Sequence, residues 1–151
     1  MTLGVINWWL AACFVLTAPT ITLAQQADKK VTEGEVMIDS LSGAPGDPAR
    51  GRLIVLSRQS GLCILCHSGP FPEERFQGNL APDLAMSAAR LSAEQLRARI
   101  VDASRFNPNT IMPPYFQKNH GSRVAPQFAD KTMLTAQEIE DVVAFLVSLK
   151  P

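Results

Sequence analysis

The sequence predicts an all-α domain, on three observations. No alternation of apolar and polar residues runs long enough to make a strand. Ile139, Val142, Val143, Leu146 and Leu149 recur at the spacing of one helix face. Two capping boxes, Ser92-Ala93-Glu94-Gln95 and Thr135-Ala136-Gln137-Glu138, each stand directly before such an apolar stretch. The expected architecture is three main helices joined by long irregular loops, with no internal repeat.

Taken in order, residues 1–24 contain no charged side chain, while all 28 charges fall in the following 127 residues. The apolar run from Val5 to Leu16, followed by small and polar residues up to Thr22-Leu23-Ala24, reads as an export signal cleaved after Ala24. It falls short of the ~20 apolar residues that a spanning helix needs, so no stable membrane anchor is expected. Residues 25–46 are polar, with Ser42-Gly43-Ala44-Pro45-Gly46, and read as an extended arm suited to wrapping a partner. Residues 47–151 form the domain. Its first helix begins with Asp47 as cap and Pro48 in the first turn, carries Leu53, Val55 and Leu56, and ends before Gly61. The second opens at Ser92, with Leu91 and Leu96 as staple and Leu96 and Ile100 on one face, and runs to about Ala103. The last opens at Thr135, with Leu134 and Ile139 as staple.

Fourteen Lys and Arg balance fourteen Asp and Glu. Without net charge or a basic run, nucleic acid and anionic membrane surfaces are not expected partners. Loops this long are unusual in a small domain unless something besides the helices supplies a core.

Cleavage after Ala24 removes Cys13, Trp8 and Trp9 and leaves two cysteines, Cys63 and Cys66. Two thiols with only two residues between them close too short a loop to staple an exported protein. They stand as Cys63-Ile64-Leu65-Cys66-His67, the C-x-x-C-H pattern of c-type haem attachment. Residues three apart share one side of a helical turn. Both sulfurs can therefore join the two vinyl groups of one haem edge, and His67 can turn its imidazole to the iron as proximal ligand. A thioredoxin-like pair needs a helix after the motif, where Gly69-Pro70-Phe71-Pro72 stands instead. A zinc site needs two more Cys or His ligands, and His120 is the only other histidine. One motif implies one covalently attached haem c.

An electron-transfer haem with a His ligand takes a second axial ligand, usually Met or His. The alternatives are Met37, Met86, Met112, Met133 and His120. Met86 follows His67 too closely for the chain to wrap the haem with ease, Met37 precedes the motif and Met133 abuts the last helix. Met112 lies in Asn107-Pro108-Asn109-Thr110-Ile111-Met112-Pro113-Pro114-Tyr115, a stiff, extended segment fit to present one thioether. We expect Met112, with His67, to hold the iron. Phe71, Phe76, Phe106, Tyr115, Phe116 and Phe128 lie in the loops and are expected to line the haem pocket and core.

Together, Cys63-x-x-Cys66-His67, the Pro82 segment, Met112 before proline and the C-terminal amphipathic helix resemble class I cytochromes c over about residues 47–150. Within that class, three stretches closely resemble the SoxX-type monohaem subunits of the sulfur-oxidising (Sox) system. These are Gly61 to His67, Phe76-Gln77-Gly78-Asn79-Leu80-Ala81-Pro82-Asp83-Leu84, and Asn107 to Tyr115. The resemblance implies a class I cytochrome c-like fold wrapped around one haem. It also implies that the Pro82 carbonyl orients the ligating imidazole, although Ala81 stands where glycine is commoner before the proline. It implies a periplasmic heterodimer with a larger SoxA-type cytochrome subunit. In such pairs the larger subunit's cysteine couples thiosulfate to a carrier-protein cysteine, and the X subunit relays electrons to a soluble acceptor without itself being catalytic. The competing expectation is a free-standing periplasmic electron carrier or the cytochrome subunit of another dehydrogenase.

Overall fold

Among the described residues, the first and last helices meet through a glycine. The structure, a computed structural model, describes residues 39–118, 126 and 129–151. The expected export segment, residues 25–38 of the arm, Met37, His120 and Phe128 lie outside the described residues. Helix α1 (Pro48–Leu56) starts as the sequence dictates: the Asp47 carboxylate accepts from the N–H groups of Ala49 and Arg50, and Pro48 occupies the first turn. Of its apolar residues Val55 is buried, Leu56 packs partly buried against the core and Leu53 is 69% exposed; Gly51 is buried beside Val55. Residues 51 and 55 stand one turn apart on the side that meets the C-terminal helix. A Cβ on Gly51 would lie 1.9 Å from the Asp141 carbonyl oxygen, so only a glycine allows the two backbones this close.

That partner helix, labelled α4 here (Ala136–Ser148), carries the Thr135 capping box, with Leu134 and Ile139 fully buried as its staple. Ile139, Val142, Val143 and Leu146 face the core as the periodicity requires, joined by Phe145, while Leu149 is the C-cap. Helix α3 (Ala93–Val101) opens with the Ser92 capping box and stops two residues earlier than expected. There the Asp102 side chain turns back to cap a 3₁₀ turn, Ala103–Arg105. A fourth helix, α2 (Leu84–Arg90), was not expected; Asp83 caps it by accepting from the N–H groups of Ala85 and Met86. Among the described residues all regular structure is helical. Phe71, from the loop after the cysteine motif, reaches under α4 and stacks on Phe145 with ring centroids 6.0 Å apart.

Two carboxylates on α4 tie the layers together. Glu140 and Arg97 of α3 are both buried, and the guanidinium donates to both carboxylate oxygens at 2.9–3.2 Å. Glu140 also accepts from the Leu41 N–H at 2.8 Å. Asp141 accepts from Arg50 Nε at 2.7 Å, from the Asp47 N–H at 2.7 Å and from Gln137 at 3.0 Å. Gln137 further donates to Pro45 O, so the described end of the arm, residues 39–46, lies along the chain's own α4.

The Arg50 guanidinium, against desolvation, holds the Asp141 carboxyl down at about 2. A carboxyl depressed in the folded state stabilises the fold above its unfolded pKa of about 3.8, and that contribution is lost as the pH falls from about 4 through about 2. With Arg50 itself half-exposed to solvent, the contribution is about 1–2 kcal/mol. Urea midpoints of the wild type should therefore fall toward those of Asp141→Asn between pH 5 and pH 2. Two acid limbs running parallel over that range would refute the assignment.

Candidate haem-attachment site

The cysteine motif folds as a 3₁₀ turn, Cys63–Leu65, with the N–H groups of Cys66 and His67 both returning to Cys63 O at 3.1 and 2.9 Å. This puts both sulfurs on one turn. Leu62, just before it, takes the left-handed conformation (φ 59°), a strained choice for a side chain with a Cβ. That kink reverses the chain out of the Ser57–Gly61 turn and aims it into the motif. Ile64 between the cysteines is fully buried and anchors the turn to the core, while Leu65 is 43% exposed.

Cys63 and Cys66 are free thiols, both half-buried. Desolvation pushes the Cys63 thiol up to about 11, with the neighbouring Tyr115 hydroxyl pulling the other way. A thiol of this kind stays protonated at neutral pH, the reverse of the low-pKa thiolate that a dithiol redox centre requires.

The chain after the motif folds back on it. Gly78 N–H donates to Ile64 O (2.8 Å), Ala81 N–H to Cys66 O (3.0 Å) and Leu84 N–H to Ser68 O (2.9 Å). A Cβ on Gly78 would lie 2.2 Å from Leu65 O, so this return needs glycine. The loop brings Pro82 O to 2.6 Å from His67 Nδ1. Nδ1 is thereby the donor, and the ring is left with Nε2, which has no hydrogen bond among the described residues. Gln77 stiffens the same loop: its side-chain oxygen accepts from Gly69 N–H, and its amide donates to Phe71 O and Glu74 O.

Met112 sits apart from this cluster in sequence but is linked to it. Its N–H donates to Thr110 Oγ1 at 3.1 Å, and its half-buried side chain packs against the core. Three residues on, the buried Tyr115 hydroxyl donates to Gly61 O at 2.6 Å, two residues before Cys63. The other methionines stand elsewhere: Met86 is 55% exposed on α2, and Met133 is half-buried against the core ahead of α4.

Of the aromatics expected in the pocket and core, Phe71 and Tyr115 are buried and Phe106 and Phe116 partly so. Phe76 is 81% exposed, and its carbonyl accepts from Arg58 at 2.5 Å. The sequence reading missed Leu62, Gln77, Gly78 and the reach of Tyr115 to Gly61. Only Tyr115, the one tyrosine of the chain, carried a signal, a hydroxyl that must find a partner once its ring is buried.

This donor set fits a haem c. Two unbridged thiols share one turn, an imidazole is fixed through Nδ1 with Nε2 available, and large apolar side chains flank the motif and Met112 in the open: Leu80 is 71% and Ile111 74% exposed. Such surface is costly in water and is what an apolar macrocycle would cover.

No protein-family model matches this chain, and no curated protein does. Among solved structures it matches a chain of SoxXA from P. pantotrophus, with 34% sequence identity and a TM-score of 0.73, covering 82% of this chain and 96% of that one. Identity at this level over nearly the whole of the matched chain, on a helical fold with the motif held as described, places the protein in the SoxX-type branch of the class I cytochromes c.

Proposed function

We propose that this chain is the electron-transfer subunit of a SoxAX-like complex, exported to the periplasm and carrying one haem c. The observation that carries the haem assignment is the 2.6 Å contact between His67 Nδ1 and Pro82 O beside two thiols on one turn. In this reading Cys63 and Cys66 would hold the haem as thioethers, each S–H adding across one vinyl group with the sulfur on one carbon and the proton on the other. His67 Nε2 and the Met112 sulfur would hold the iron. When bound, the group supplies a one-electron iron couple, and a methionine ligand sets it toward high potential. The protein's part is orientation: Pro82 O fixes the tautomer and plane of the His67 ring and raises its basicity.

Similarity to a chain of SoxXA supports a larger, SoxA-type cytochrome as partner in a heterodimer. The mature chain has no cysteine beyond the haem pair, so the sulfur-accepting cysteine belongs to that partner. There thiosulfate is joined oxidatively to a carrier-protein cysteine, and the electrons released leave through this subunit to a soluble acceptor.

Co-expression with the large subunit tests the assembly: the two should purify together and turn over thiosulfate with a carrier protein. Recovery of a lone monomeric cytochrome with no thiosulfate-linked turnover would favour a free-standing carrier. The ligand is tested separately. Met112→Ala should keep its covalent haem and lose the methionine-to-iron absorption band in the red, whereas an unchanged band would exclude Met112.

A further inference from the structure

We infer that Tyr115 is a positioning residue for the second axial ligand: its hydroxyl bond to Gly61 O locks the Met112 loop to the Cys63 turn. The inference rests on the proposal above that Met112 ligates the iron.

Tyr115 is 4% exposed and is anchored from three directions. Its N–H donates to Ile100 O on α3 (3.2 Å), its carbonyl accepts from Leu134 N–H just before α4 (3.1 Å), and its hydroxyl donates to Gly61 O (2.6 Å). Next to it, Phe116 N–H donates to Val101 O at 3.3 Å. Between this anchor and Met112 stand only Pro113 and Pro114. Each proline fixes its own φ and confines the residue before it, so few soft dihedrals separate Met112 from Tyr115. Where Tyr115 is held, Met112 is held.

Met112's own hydrogen bond goes to Thr110, within the same loop, and so does not tie it to the cysteine motif. The hydroxyl of Tyr115 makes that tie. Gly61 O also accepts from the Cys63 thiol at 3.3 Å, but a thioether sulfur has no proton to give. With Cys63 alkylated, the Tyr115 hydroxyl is the donor that remains for this carbonyl among the hydrogen bonds described. The clamp therefore bridges the proximal segment, which bears the thioether, and the distal loop.

A neutral thioether is a modest ligand that competes with stronger nitrogen donors. Its advantage is effective concentration, which the rigidity of the loop sets. Removing the clamp should lower that advantage and leave haem attachment intact.

The test uses purified holoprotein, wild type against Tyr115→Phe, titrated with imidazole while the red methionine-to-iron band is followed. Tyr115→Phe should keep its haem and its band at zero imidazole, and the imidazole Kd should fall about tenfold, the equivalent of about 1.4 kcal/mol and the size of one lost hydrogen bond. Asp141→Asn, which lowers denaturation midpoints and whose side-chain hydrogen bonds go to Arg50, Asp47 and Gln137 rather than to either loop, should leave the Kd unchanged. A Tyr115→Phe Kd within twofold of wild type, or an equal shift in Asp141→Asn, would overturn the positioning role. A wild type with no such band would instead remove the Met112 assignment and this inference with it.

Discussion

Gly51→Ala should destabilise the holoprotein by about 3 kcal/mol, although alanine is the better helix former by about 1 kcal/mol. The added methyl would lie 1.9 Å from Asp141 O, 2.5 Å from Asp141 C and 2.8 Å from Phe145 Cβ. Two of the three are backbone atoms of α4, which cannot rotate aside, so α1 must move off as a unit. Retreat of α1 pulls Arg50 away from Asp141, opens the contact at Val55 and loosens the chain that leads through Gly61 into the haem motif. Denaturant midpoints compared between holoprotein forms would show it, and a variant within 0.5 kcal/mol of wild type (roughly the surface-substitution range) would show that the helices do not cross through this glycine.

The second large effect is at the buried ion pair. Glu140→Ala takes from Arg97, itself only 8% exposed, the carboxylate that meets it with paired hydrogen bonds, and removes the acceptor of the Leu41 N–H. Breaking one side of a buried pair costs about 3–5 kcal/mol, because the remaining charge has lost water as well as the opposite charge. The double variant Arg97→Leu/Glu140→Ala should recover much of that loss, since an apolar replacement of both groups is less costly than a buried guanidinium without the Glu140 carboxylate. Equal losses in the single and double variants would mean that the pair is not coupled.

These two sites show where sequence reasoning reached and where it stopped. Asp47, Ser92 and Thr135 were legible as helix starts because a cap is a local event, decided by one side chain and the N–H groups two or three residues on. The apolar stripe of α4 was legible because its period is regular. Helix α2 was missed despite Asp83 as cap, since seven residues of mostly small side chains carry almost no periodic signal. On α1 the sequence offered Leu53, Val55 and Leu56 as its apolar residues, with no sign of Gly51. The contact is made at Gly51, where closeness of backbone rather than apolar area decides.

The site divides in the same way. Cys63, Cys66 and His67 fall within five residues, so the role proposed for them could be read from spacing alone. The Pro82 carbonyl could be named only by resemblance, because a backbone acceptor leaves no side-chain signature; its distance of 2.6 Å from His67 Nδ1 is a property of the fold. Gln77, Gly78 and Leu62 shape that loop through bonds and close approaches between segments, which no single stretch of sequence displays.

Covalent haem at the cysteine turn is the claim on which the rest depends, and a haem-stained denaturing gel tests it most directly. The full chain, made in a host that matures c-type cytochromes and loaded to equal total protein, should stain for haem at its own mass, and Cys63→Ala/Cys66→Ala should not. An unstained wild type, or a double variant that stains equally, would contradict the account.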